Sequence, residues 1–141
     1  MLSGINIHAD FAAVNVNFWI TPDQANLEAE SGGLLIWDVA ALLDWDFAKY
    51  NDNEAAIRSF LAQSGARAMT VPYRANRAVI FDSDLFHETD RFAFKVGYTN
   101  RRVTITLLYS RRRSHEHCAI ATSWLMWRNG RGGLLASRHL R

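Results

Sequence analysis

Residues 14–21, Val-Asn-Val-Asn-Phe-Trp-Ile-Thr, alternate in character. Val14, Val16, Phe18 and Ile20 share one face, and Asn15, Asn17, Trp19 and Thr21 share the other, which is the period-two pattern of a strand. Pro22-Asp23 ends it, a polar loop runs to Glu30, and Ser31-Gly32-Gly33 turns the chain into a short apolar strand at 34–37. Asn51-Asp52-Asn53-Glu54 has the form of a helix start, with Asn51 accepting an N–H and Glu54 reaching back. Ile57, Phe60 and Leu61 then form an apolar stripe, and Gly65 is the expected stop. Residues 66–73 read as extended. Arg77 to Ser83 is apolar enough to predict a strand buried on both faces. Residues 84–89 read as a turn around His87, and 92–101 as a loop with Gly97 and Asn100. From 102 to 109 the alternation is clearest: Val103, Ile105, Leu107 and Tyr109 lie opposite Arg102, Thr104, Thr106 and Leu108. One helix among five or six strands predicts a mainly β sandwich or barrel.

The charge is unevenly spread. The chain has 141 residues, 49% hydrophobic and 21% charged, with a formal net charge of +2. Residues 110–141 carry seven arginines against the single acid Glu116, so residues 1–109 are net acidic. The basic isoelectric point therefore belongs to the tail, and nucleic acid is not an expected partner of the body. That tail, with Arg111-Arg112-Arg113, His115-Glu116-His117-Cys118 and an Arg/Gly-rich end, shows no helix or strand period and is expected to be poorly ordered and solvated. No run of 18 apolar residues predicts a membrane span. A single cysteine, Cys118, and a start without a secretory pattern predict a cytoplasmic protein.

Three residues carry candidate chemistry. In His8-Ala9-Asp10 an imidazole and a carboxylate share one side of an extended stretch, because positions i and i+2 point the same way. Taken alone, a His-x-Asp is as readily a surface histidine beside a loop cap. With His87 added, two histidines and one carboxylate can occupy three positions around a metal and leave the other side open, the ligand set of non-haem Fe(II) sites that activate O₂. Near His87, Glu88 reads as a surface acid. Asp82 and Asp84 read as turn caps, with orientation of His87 the alternative for Asp84.

In order along the chain, His8-Ala9-Asp10, the strand Asn15-Val16-Asn17-Phe18-Trp19, Glu30-Ser31-Gly32-Gly33-Leu34, Asn76-Arg77-Ala78-Val79-Ile80-Phe81 leading to Leu85-Phe86-His87, and Arg102-Val-Thr-Ile-Thr106-Leu-Leu-Tyr109 resemble the 2-oxoglutarate- and Fe(II)-dependent oxygenase superfamily. The nearest branches are the phytanoyl-CoA-hydroxylase-like and prolyl-hydroxylase-like ones. The resemblance implies a double-stranded β-helix, a jelly-roll also seen in cupins, over residues 1–109. It implies iron ligands at His8, Asp10 and His87, with 2-oxoglutarate and O₂ as cosubstrates. It also implies that Arg102, rather than Arg101, grips the distal carboxylate of 2-oxoglutarate, a bidentate contact suited to guanidinium. Thr106, on the same expected strand face, would share that carboxylate. Asn15 and Asn17 are either solvated on an outer face or inside the barrel against the cosubstrate.

Only seven residues precede His8, where the resemblance implies a substantial amino-terminal region. The barrel is therefore expected to be incomplete, with exposed sheet edges open to self-association. The implied activity is hydroxylation of an unidentified substrate, by this chain or lost in it as an inactive fragment. The rival readings are a non-catalytic β-helix binding domain and a cupin-type binder of another metal or small molecule.

Overall fold

The structure is a computed structural model. It describes residues 4–110 and the backbone of two further strands, Trp124–Arg128 and Leu134–Arg138. The chain is mainly β. In order, the elements are β1 (Val14–Trp19), β2 (Leu34–Ala40), α1 (Phe47–Asn51), α2 (Glu54–Gln63), β3 (Ala68–Val71), β4 (Ala78–Asp82), β5 (Leu85–Thr89), β6 (Thr104–Tyr109), β7 (Trp124–Arg128) and β8 (Leu134–Arg138). They form two antiparallel sheets, one ordered β6-β1-β4-β7-β8 and the other β3-β2-β5. Residues 5–8 extend the smaller sheet beyond β5 through the His8–His87 bridge and a Thr89 N–H to Ile5 carbonyl bond of 3.0 Å. The chain then crosses to the larger sheet, entering β1.

Two cores follow from side-chain alternation. Between the sheets, Trp19 from β1, Leu34 and Ile36 from β2, Val79 and Phe81 from β4 and Leu85 from β5 pack together. On the outer side of the smaller sheet, Ile7 and Phe86 pack against Ile57 and Leu61 of α2 and Tyr50 of α1. Phe86 and Leu85 are neighbours in β5 and serve opposite cores, as period two requires.

Several local expectations change. β4 is buried on one face only: Val79 and Phe81 are enclosed, while Ile80 is exposed on the outer side of the larger sheet. Residues 85–89 are not a turn but strand β5, with His87 opposite Ile36. The cap of α2 is Asn53, whose Oδ1 accepts from Ala56 N at 3.1 Å; Asn51 instead ends the short helix α1, and Glu54 pairs with Arg58 one turn on. The apolar stripe and the stop at Gly65, at φ +65°, are as expected. The segment expected to be tail contains the β7–β8 hairpin, β7 lying beside β4. His115 to Cys118 and the arginines at 111–113 lie outside the described residues.

β1 shows an inverted amphipathy. Its enclosed face is Asn15, Asn17 and Trp19, while Val14, Val16 and Phe18 lie half-buried on the outer side. The partner β6 matches it in register, with Thr104 opposite Trp19 and Thr106 opposite Asn17. The interior of the sandwich therefore holds a polar row at one end and an apolar core at the other. No helix among the described residues is long and apolar enough to cross a membrane.

Candidate metal centre

His8, Asp10 and His87 converge. One donor atom from each lies within 4.8 Å of the others. His8 Nε2 is 3.7 Å from Asp10 Oδ1, and His87 Nε2 is 3.4 Å from Asp10 Oδ2. Donors bound at about 2.1 Å and at right angles to one another stand about 3.0 Å apart, so the two histidine–aspartate separations are within about 1 Å of closure on an ion, while the widest pair of the three donors, at up to 4.8 Å, must close further.

Local structure explains the convergence. His8 and His87 exchange both backbone hydrogen bonds, at 3.0 and 2.8 Å, so their side chains leave the sheet on the same face. Ala9 is clamped on both sides: its N–H donates to Tyr50 O at 3.0 Å, and its carbonyl accepts from Asn51 Nδ2 at 3.3 Å. Asp10 N donates to Ser83 O at 3.0 Å. The His-x-Asp turn is thus tied to β5, to the end of α1 and to the β4–β5 turn before any ion arrives.

The imidazoles are oriented as metal ligands require. His8 Nδ1 lies 2.7 Å from Asn6 O, and His87 Nδ1 lies 2.9 Å from Leu85 O. A backbone carbonyl can only accept, so each Nδ1 carries a proton and each Nε2 is the atom left facing Asp10, donating to the carboxylate when protonated and able to ligate an ion when not. The ring of Phe81 meets His87 edge-on at 4.9 Å, filling the space behind it. Leu85 O, not Asp84, orients His87. Glu88 is not a free surface acid but pairs with Arg58 at 2.8 Å across to α2.

The electrostatics favour the ligating protonation states. Burial, then the charge of His87, lowers the pKa of His8 against the opposing pull of Asn6 O and Asp10. Burial raises that of Asp10, but the hydrogen bond and charge of His87, the charge of His8 and the Asn15 N–H outweigh it and leave the carboxyl below its ordinary range. A neutral imidazole beside an ionised carboxylate is the state that binds a divalent cation.

The residues expected to face a cosubstrate divide into two groups. Asn15 Nδ2 donates to Asp10 Oδ2 at 2.6 Å, Asn17 Nδ2 to Asn15 Oδ1 at 2.5 Å, and Thr106 Oγ1 to Asn17 Oδ1 at 3.2 Å. These three are connected to Asp10, one of the candidate ligands. Arg102 lies before the first residue of β6, not on the strand face with Thr106. Its Nε donates to Gly32 O at 2.6 Å and its Nη2 to Gly33 O at 3.2 Å, and the guanidinium sits 5.4 Å over Phe92. Its half-burial lowers its pKa, against the opposing effects of Tyr73 and Asp90. Arg101 is exposed and packs over Tyr98.

Asn51, Tyr50 and Ser83 are the supporting residues that the sequence did not mark. Their contacts with 9 and 10 span 41 to 73 positions, and nothing in local pattern signals them. Comparisons with protein-family models, with curated proteins and with solved structures found no match.

Proposed function

We propose that this chain carries the metal centre of a non-haem Fe(II)- and 2-oxoglutarate-dependent oxygenase on a double-stranded β-helix. The observation that carries the reading is the convergence of His8, Asp10 and His87 with both imidazole Nδ1 atoms already bonded to backbone carbonyls. Two imidazoles and a carboxylate on one side of a site, with no fourth His, Cys, Asp or Glu grouped with them among the described residues, suit Fe(II) with open positions better than a closed structural zinc site. The alternation of the chain between the sheets supports the fold: residues 5–8 in the smaller, β1 in the larger, β2 and β3 in the smaller, β4 in the larger, β5 in the smaller and β6 in the larger.

Two unpartnered polar atoms in the interior also support a polar cosubstrate. Trp19 Nε1 and Thr104 Oγ1 are buried without a hydrogen-bond partner among the described residues, and they belong to directly paired positions of β1 and β6. Buried polar groups in native proteins are nearly always satisfied, so an orphaned pair supports a polar ligand beside it. Arg102 lies two residues before Thr104, ahead of β6. No carboxylate lies within ion-pair distance of it among the described residues, and its Nη1 amino group is left for an anion.

Iron held by the triad, with 2-oxoglutarate and dioxygen, supplies oxidative decarboxylation to succinate and CO₂ coupled to hydroxylation of a substrate C–H bond. The chain holds the ion on one side with His8, Asp10 and His87. It fixes their tautomers through Asn6 O and Leu85 O, and it meets the far carboxylate of the cosubstrate with Arg102. Phe81, edge-on against His87, would shield that ring from bulk water. Anaerobic addition of Fe(II) and then 2-oxoglutarate tests the reading. The expected results are a visible absorption that needs both additions and, in air, succinate formation that His87→Ala abolishes. Absence of both results, with the protein folded, contradicts it.

A further inference from the structure

The sequence left Asn15 and Asn17 either solvated or inside against a cosubstrate; they are inside, and their side chains are committed to one another and to Asp10. Thr106 O–H donates to Asn17 Oδ1, Asn17 N–H donates to Asn15 Oδ1, and Asn15 N–H donates to Asp10 Oδ2 at 2.6 Å. Every link runs in the same sense. Each amide accepts on its oxygen from the β6 side and donates from its nitrogen toward the carboxylate, so each bond polarises the next. The row follows from the strands themselves: period two puts residues 15 and 17 on one face, and register sets Thr106 opposite Asn17.

We propose that Asn15, backed by Asn17 and Thr106, is a positioning residue that fixes the rotation of the Asp10 carboxylate so that it meets a metal through one oxygen. The role rests on the metal reading given above. Asn15 is fully enclosed and Asn17 nearly so. If the carboxylate turned to chelate through both oxygens, it would pull away from a buried N–H that has no other acceptor among the described residues. Asn15 is therefore held at its oxygen by Asn17 and holds Asp10 with its nitrogen, and the amide cannot flip without losing both bonds.

The test is titration of the full chain with Co(II) alone, reading the dissociation constant and the visible d–d spectrum, with urea unfolding as the check on folding. Asn15→Leu keeps the branched shape and the number of side-chain heavy atoms and removes both bonds. It is expected to weaken Co(II) binding by about 10- to 100-fold and to shift the d–d bands, which a purely structural role would leave in place. Thr106→Val, at an exposed position of β6, is expected to weaken binding by about 2- to 5-fold. A folded Asn15→Leu protein with the wild-type constant and spectrum overturns the relay while leaving the metal site standing. If Asn15→Leu does not fold, a wild-type constant in Thr106→Val overturns it instead. Failure of the wild-type chain to take Co(II) at all overturns the metal reading, and the relay with it.

Discussion

His8 and His87 are direct cross-strand partners, with ring centroids 4.3 Å apart. Two imidazoles separated by 79 positions are thereby placed by one pair of backbone hydrogen bonds. Strand register, more than side-chain packing, sets the spacing of the candidate ligands. A slip of one residue would send His87 to the helix side of the smaller sheet and bring Phe86 into the site.

Protonation should compete with metal in a defined window. The folded pKa of His8 lies below its ordinary value, so the native state binds fewer protons than the unfolded chain between the two values. The associated stability is fully present above the unfolded value of about 6.5 and is lost as pH falls toward the folded value. Asp10 acts in the same direction lower down: its contribution is present above about 3.9 and is lost as pH falls through its lowered value. Urea midpoints of the metal-free chain should therefore drop between pH 7.5 and 5.5, and His8→Gln should flatten part of that drop. Metal affinity should fall over the same range. An identical pH profile in His8→Gln contradicts the assignment.

Asn51→Ala removes the side chain that holds the Ala9 carbonyl. A single lost hydrogen bond of this kind costs about 1 kcal/mol of stability. The larger effect should fall on the site, because Ala9 joins two candidate ligands: a several-fold weaker Co(II) constant with a thermal midpoint lowered by only about 2–5 °C. The reverse pattern, a large loss of stability with full affinity, would assign Asn51 to α1 alone.

Phe86 is fully buried between β5 and α2, with Trp45 and Phe60 both 6.1 Å away, centroid to centroid. Phe86→Ala should cost about 3–5 kcal/mol in urea unfolding. Gly33→Ala should be worse tolerated than its size suggests. A Cβ there would lie 1.8 Å from the Val71 carbonyl, on the partner strand β3, and the backbone cannot yield without opening the β2–β3 pair. Soluble yield and urea midpoint report both changes.

Arg102 serves the loop before β2 as well as the proposed anion. Arg102→Lys keeps the charge but loses the fork that reaches two carbonyls. It should weaken 2-oxoglutarate binding by about tenfold, and Arg102→Ala by about a hundredfold, with Fe(II) affinity unchanged. Equal loss of iron and cosubstrate affinity would mean that the substitution disturbs the fold.

The sequence was readable where local chemistry decides structure. The alternation at 14–21, the stripe of α2 and the stop at Gly65 are local. The pairing of His8-Ala9-Asp10 with His87 was legible from ligand chemistry. What was hidden depends on partners distant in the chain. β5 reads as a turn because Leu-Phe-His-Glu-Thr has no clean alternation; it is a strand because it lies between β2 and residues 5–8, with Leu85 and Phe86 each finding a core. The inverted face of β1 could not be assigned from its own pattern, since Asn15 and Asn17 are stable inside only because Asp10 and Thr106 meet them there. Asn51 resembles a helix cap in sequence, but its side chain is drawn to Ala9, 42 positions away.

The most direct measurement is anaerobic Fe(II) titration of the wild-type chain beside His87→Ala and Asp10→Ala, each checked for folding. The account predicts one Fe(II) per chain in the wild type and at least a hundredfold weaker binding in both variants. Wild-type protein that binds no Fe(II), or binds it equally well without His87, would contradict it.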